Sequence, residues 1–291
     1  MNYLQSAQAL YERRHLHQHP EVGMDLPETC SYVMARLTEM GYQPRRLGGG
    51  VTATVTGKPD GKVFLLRADM DALPMREESG LPFASQRSCA HTCGHDMHTA
   101  MLLGAAQLLR DRAAELNGTV KFMFQPGEEV LSGARSMIEA GILEDPHVDA
   151  AMGAHMIPMI PAGLGGYGTG VVSASSDHLV IRVEGRGGHG AHPQSTVDPI
   201  NIGVHLALQE LLSREADPAE LVVLTFGKFQ GGDAANIIPS SAVLEGTLRT
   251  FSEPLRTHLL ERIDTICTCT AEAFRGRAQV TDLCSTCSLQ I

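Results

Sequence analysis

Nowhere do the 291 residues run about 18 apolar positions without a break, so a membrane-spanning helix is not expected. The opening segment, MNYLQSAQALYERRHLHQHP, lacks the apolar core that follows a basic start in an export signal, and a cytoplasmic protein is expected. A Lys/Arg-rich tract is missing too. With Lys plus Arg at 23 against Asp plus Glu at 33, the net charge of −10 repels a polyanion, so nucleic acid is not an expected partner. Neither internal repeats nor low-complexity tracts are visible. The seven cysteines are odd in number and unevenly spread, which argues for reduced thiols or metal ligands over a disulfide framework.

What the chain does have is enough length for two domains, an ordinary globular composition with 43% hydrophobic residues, and 13 histidines, many beside glycine or acidic residues. Helical spacing marks Tyr3 to His17, through Leu4, Ala7, Leu10 and Tyr11, and again Glu28 to Met40 with Gly41 as a stop. Val51 to Val55 and Val63 to Leu66 read as a hairpin or adjacent strand pair across Gly57-Lys58-Pro59-Asp60-Gly61. A helix (Thr99 to Arg110), a strand (Val120 to Phe124), a helix (Gly133 to Ala140) and a strand (Asp149 to Ala154) follow. This alternation predicts an α/β fold with a mainly parallel sheet covered by helices.

After the glycine-rich stretch Gly163 to Gly170 the pattern changes. Strand His178 to Val183, one long helix Pro199 to Leu212, strands Leu221 to Phe226 and Ala242 to Thr250, and a helix Glu253 to Phe274 suit a smaller α+β domain with an antiparallel sheet. The expected division is residues 1–176, 177–280 and an atypical tail, 281–291, with Val280 to Ile291 read as an unpartnered end.

Parallel sheets bind ligands beyond the carboxyl ends of their strands. Three predicted strands end in polar groups there: Arg67-Ala68-Asp69-Met70-Asp71, Gln125-Pro126-Gly127-Glu128-Glu129, and His155. His91-Thr92-Cys93-Gly94-His95-Asp96-Met97-His98 precedes the first of the later helices, with Asp96 or a neighbour as its cap. Gly94 lets Cys93 and His95 point into one small space. Thiolate and imidazole together suit Zn²⁺ or a related transition ion, and adding Glu129 and His155 makes a set able to hold one or two divalent ions. Glu128 is the natural base for a metal-activated water. Asp69 and Asp71 could equally be turn residues.

Five segments, in order, resemble the M20 metallopeptidase family: Arg13-Arg14-His15-Leu16-His17-Gln18-His19-Pro20-Glu21, Arg67-Ala68-Asp69-Met70-Asp71-Ala72-Leu73-Pro74, Cys93-Gly94-His95-Asp96, Gln125-Pro126-Gly127-Glu128-Glu129 and Gly187-Gly188-His189. The likeness is to the amidohydrolase branch, with its N-acyl amino acid amidohydrolases, hippurate hydrolase and auxin-conjugate hydrolases. It covers roughly residues 10 to 275.

The resemblance implies Cys93, His95, Glu129 and His155 as ligands of Mn²⁺ or Zn²⁺, up to two ions per chain, Glu128 as general acid/base and Asp71 as a carboxylate that orients a ligand. It implies an inserted lid domain that also forms a homodimer contact, with His189 reaching the partner's site to stabilise the oxyanion, and Asn236 and Arg249 holding the substrate carboxylate. The expected reaction is metal-dependent hydrolysis of the amide bond in N-acyl amino acids or similar small conjugates. The runner-up enzyme is a dipeptidase or aminopeptidase of the same broad family. Family members commonly continue past the lid, complete the first sheet and supply another ligand histidine, whereas this chain stops at Ile291. A truncated chain with an uncovered sheet edge, poor solubility or a partner, and a catalytically inactive remnant that binds metal incompletely, are therefore further expectations. A structural zinc site at Cys267, Cys269, Cys284 and Cys287 is a weaker one, because residues two apart on a helix face different directions.

Overall fold

Val51, Ala53 and Val55 alternate with threonines, and the alternation decides which face of the strand is buried: all three are nearly inaccessible while Thr54 and Thr56 are exposed. The structure, a computed structural model, describes residues 3–161, 163–206, 209–286 and 289–290. The chain forms two compact units, Met1–Leu164 and Gly165–Ile291, divided inside the glycine-rich stretch. Among the described residues no helix is long and apolar enough to cross a membrane.

In the first unit, helices α1 (Tyr3–Gln18) and α2 (Pro27–Glu39) precede strands β1 (Arg45–Leu47), β2 (Gly50–Thr56) and β3 (Lys58–Asp69). Helix α3 (His95–Asp111), strand β4 (Asn117–Gln125), helix α4 (Gly133–Glu139) and strand β5 (Ala150–Gly153) complete it. The sheet order is β1-β2-β4-β3-β5. Strands β3, β4 and β5 are parallel, with β2 and β1 added antiparallel on one side. The carboxyl ends of β3, β4 and β5 therefore open on one edge. The expected pairing of β2 with β3 is not formed, because β4 lies between them and takes β2 on one side and β3 on the other. A tight turn between two strands does not force a hairpin when a third strand offers each a full ladder.

The main core fills the space under α2 and α3, around Leu26, Val33, Leu37, Val51, Leu103, Phe122 and Phe124. Truncating one such leucine to alanine costs about 2–5 kcal/mol. Helix α1 departs from its reading: Leu10 and Tyr11 are exposed, and among its described side chains the buried ones are Glu12, Leu16 and His17. Its inward face is polar because it docks on charged partners, with Glu12 held by Tyr32 and Arg36. Strand β5 ends the sheet, and its four residues are exposed.

The second unit holds β6 (Val171–Ser173), β7 (Ser176–Glu184), β8 (Gly188–His189), α5 (Pro199–His205), α6 (Gln209–Glu215), β9 (Val222–Gly231), β10 (Ile237–Ile238), β11 (Ser241–Thr250), α7 (Glu253–Ala273), β12 (Arg277–Thr286) and β13 (Leu289–Gln290). Its four-stranded sheet, β12-β7-β11-β9, is antiparallel throughout. Leu259, Ile263, Cys267 and Ala271 recur every four residues and put one stripe of α7 into the core. Ser252 caps that helix by accepting the Leu255 N–H.

Two expectations are corrected here. The single helix over Pro199 to Leu212 is two, α5 and α6, with 207–208 outside the described residues. The stretch from Val280 is not an unpartnered end, since β12 runs to Thr286 against β7. Exposed backbone groups on β7 reward any neighbouring segment that can form a ladder, amphipathic or not. Cys267 is buried and Cys269 exposed, and neither they nor Cys30, Cys89 or Cys93 forms a disulfide; the side chains of Cys284 and Cys287 lie outside the described residues.

Candidate metal centre

Gly94 adopts a φ of +90°, a left-handed conformation that costs little only without a Cβ, and from it the chain turns directly into α3. Cys93 thus ends the loop and His95 begins the helix. Asp96 does not cap α3. Its carboxylate instead accepts from His17 Nδ1 at 2.8 Å and pairs with Arg13 Nε at 2.7 Å, while His17 Nε2 reaches Glu77 at 2.9 Å. The buried His17 is therefore held between two carboxylates, and the bond to Asp96 raises its pKa despite the opposing effect of burial.

The His95 ring is completely buried, and its Nδ1–H donates to the Asp71 carbonyl at 2.8 Å. A carbonyl only accepts, so in the neutral ring the lone pair belongs to Nε2; burial favours that neutral form, although the Asp71 hydrogen bond and the Asp69 charge outweigh it and raise the pKa of the metal-free ring. Nε2 is buried without a hydrogen-bond partner. Carboxylate oxygens of Asp69, Glu128 and Glu129 stand 3.7, 3.8 and 3.9 Å from it. These separations are too long for hydrogen bonds, but ligands about 2.0–2.2 Å from one ion stand roughly 3 to 4 Å apart. Glu129 Oε1 is a second buried atom with no partner.

The Asp71 carboxylate is fully buried at the end of β3 and accepts the backbone N–H groups of Glu128 at 2.9 Å and Glu129 at 3.1 Å. Asp71 thus orients His95 through its carbonyl and both glutamates through its side chain. His155, two residues beyond β5, brings Nε2 to 3.5 Å from Cys93 Sγ. Three groups of donor atoms, each within 4.8 Å, arise among the described residues: Cys93/His95/His155, Asp69/His95/His98 and His95/Glu128/Glu129. His95 belongs to all three. The structure therefore brings together Cys93, His95, Glu128, Glu129 and His155, with Asp71 behind them. The buried lone pair, the partnerless carboxylate oxygen and the mixed S/N/O donors fit a divalent metal.

The electrostatics agree with that fit. Burial, reinforced by the Glu129 charge, pushes the Cys93 thiol up to about 12, as expected where a cation is wanted to release the proton. Burial also raises Glu128, with the Asp69 and Glu129 charges adding to it. Asp69 behaves oppositely: burial pushes it up, but the His98 hydrogen bond and the Arg67 charge hold it at about 2.

Sequence reading missed Asp69 and His98 as parts of this centre. The available signal was His95-x-x-His98, because residues three apart share a helix face.

In the second unit, His189 and Asn236 are neighbours: His189 pairs with Ile237, and the Gly190 N–H donates to the Asn236 carbonyl at 2.8 Å. The Ala191 N–H donates to His189 Nδ1 at 3.1 Å, so the neutral ring carries its proton on Nε2 and can donate outward. Arg249 is not brought to this pair. It lies on β11 eight residues beyond Ser241, about 26 Å at 3.3 Å per residue, and is exposed.

The model of peptidase family M20/M25/M40 matches residues 65–285. The chain belongs to this family. It is 42% identical over 274 residues to the N-acetyl-L-cysteine deacetylase of Bacillus subtilis (strain 168), covering 92% of this chain and 65% of that protein. To the N-acyl-L-amino acid amidohydrolase of Geobacillus stearothermophilus it is 40% identical over 250 residues, covering 84% of this chain and 67% of that one. The chain thus spans about two thirds of the length of these relatives. Among solved structures, Bacillus subtilis YXEP, described as a dinuclear metal binding peptidase of the M20 family, superimposes with a TM-score of 0.84 at 34% identity over 99% of this chain and 76% of that one. The α/β first unit with its helix-covered, mainly parallel sheet is thus the architecture of M20 relatives.

Proposed function

We propose that this M20 member is a metal-dependent amidohydrolase that cleaves the amide bond of N-acyl amino acids or similar small conjugates. The observation that carries the reading is the partnerless His95 Nε2, ringed by carboxylates of Asp69, Glu128 and Glu129 beside the Cys93–His155 pair. Cys93, His95, Glu129 and His155 would hold Mn²⁺ or Zn²⁺, up to two ions. Bound there, such ions supply the Lewis acidity that acidifies water and polarises an acyl carbonyl.

The chain's own residues do the rest. Glu128, with its raised pKa, accepts the proton of the attacking water and passes it to the leaving amine nitrogen. Asp71 keeps that carboxylate in place by gripping its backbone N–H. His189, with its proton on Nε2, is suited to donate to the oxyanion, and Asn236 and Arg249 to hold the substrate carboxylate. Because Arg249 lies far along β11 from His189 and Asn236, we assign the two groups to different subunits of a homodimer formed through the second unit, acting in the cytoplasm.

The test is a substrate panel. With Mn²⁺ or Zn²⁺ supplied, N-acetyl and N-benzoyl amino acids are expected to be hydrolysed and dipeptides with a free amino terminus left intact. Cleavage of the dipeptides alone would mean a peptidase.

A further inference from the structure

Met156 is polar only through its backbone, yet its N–H and carbonyl connect two histidines of the metal centre. Its N–H donates to His98 Nε2 at 2.8 Å, and its carbonyl accepts from His155 Nδ1 at 2.8 Å. These contacts fix both tautomers. A backbone N–H only donates, so His98 Nε2 is unprotonated and its proton sits on Nδ1, which donates to Asp69 Oδ1 at 2.6 Å. A carbonyl only accepts, so the proton of His155 is on Nδ1 and its lone pair is on Nε2, the atom 3.5 Å from Cys93 Sγ.

The chain of contacts is therefore Asp69, His98, the Met156 backbone, His155, Cys93. Its first member is firmly anchored: Asp69 is fully buried, its Oδ2 pairs with Arg67 Nη1 at 2.7 Å, and its carbonyl accepts from Thr99 Oγ1. His155, near its other end, is not, since it is exposed and follows a strand whose residues are all exposed. The buried His98 is what joins the two. The His98 and His155 rings also meet edge to face, with centroids 4.5 Å apart.

We propose that His98 is a positioning residue rather than a metal ligand: through the Met156 backbone it ties the loop after β5 to Asp69 and so presents His155 Nε2 to the metal. His98 shares a tight donor group with Asp69 and His95, which invites a ligand role. Both its ring nitrogens, however, are committed, and ligation through either would cost one of the two anchoring bonds. The inference rests on the metal-centre reading above, but not on any substrate.

The test uses the 291-residue chain. Imidazole ¹⁵N NMR without metal is expected to find the His98 proton on Nδ1; a proton on Nε2 overturns the proposal, whatever any variant does. Titration with Co²⁺, read by the thiolate-to-cobalt band of Cys93, supplies the functional half. His98→Phe keeps the ring against His155 but loses both nitrogen contacts, and is expected to weaken the ion seen by that band about 10- to 100-fold, with His98→Gln, whose amide oxygen can accept the Met156 N–H, within about threefold of the parent. Parental Co²⁺ binding by His98→Phe overturns the proposal, as does His98→Gln binding as weakly as His98→Phe. A chain that binds Co²⁺ this way but hydrolyses no N-acyl amino acid would instead contradict the substrate reading alone.

Discussion

The Asp71 carboxylate accepts the backbone N–H of Glu128 at 2.9 Å, tying the end of β3 to the loop after β4. Its other oxygen takes the Glu129 N–H, so one buried side chain sets the approach of both the proposed base and a proposed metal ligand. Asp71→Asn replaces one acceptor with a donor facing an N–H. The variant is expected to lose about 1–3 kcal/mol of stability and, in metal titration, about 10- to 100-fold in affinity, while the His95 bond to the residue 71 carbonyl survives. Unchanged affinity would mean that the loop is held in place by something else.

Metal uptake is expected to release a proton from Cys93. Burial and the Glu129 charge hold the thiol up at about 12, so it is protonated at neutral pH until a cation arrives. Calorimetric titration of the same ion in buffers of different ionisation enthalpy measures that proton directly. Apparent affinity should rise with pH, and Cys93→Ser should release less proton and bind more weakly. A parental proton count in Cys93→Ser would place the released proton elsewhere.

His17 makes metal-free stability depend on pH in a definite sense. Its pKa is raised by the Asp96 bond, so its contribution is fully present below the ordinary histidine value of about 6.5 and is lost as pH rises through the raised folded value. Urea unfolding in chelator should therefore show His17→Gln costing more at pH 6 than at pH 9. An equal cost at both would mean that the Asp96 bond is made by the neutral ring.

These residues also show what could be read from the chain alone. Cys93, His95, Glu128, Glu129 and His155 were legible because they follow strands or begin a helix, and parallel strands deliver their carboxyl ends to one edge. The pairing of β2 with β4 was not, since register depends on which strand competes for an edge, and nothing local records it. Helix α1 misled for a related reason: Leu10 and Tyr11 carry the apolar period, but the partners waiting for this helix are charged, so Glu12 and His17 turn inward. The Met156 link was invisible, because backbone N–H and C=O groups have no residue-type signature.

The most direct test of the central claim compares the parent chain with Glu128→Gln, each measured for bound metal and for hydrolysis of an N-acetyl amino acid supplied with Mn²⁺ or Zn²⁺. The account predicts equal metal content, with chelator-sensitive turnover in the parent and a fall of about 10²- to 10⁴-fold in the variant, the range of a lost general acid/base. Turnover in Glu128→Gln close to that of the parent, with metal retained, would contradict the role given to Glu128 and the mechanism built on it.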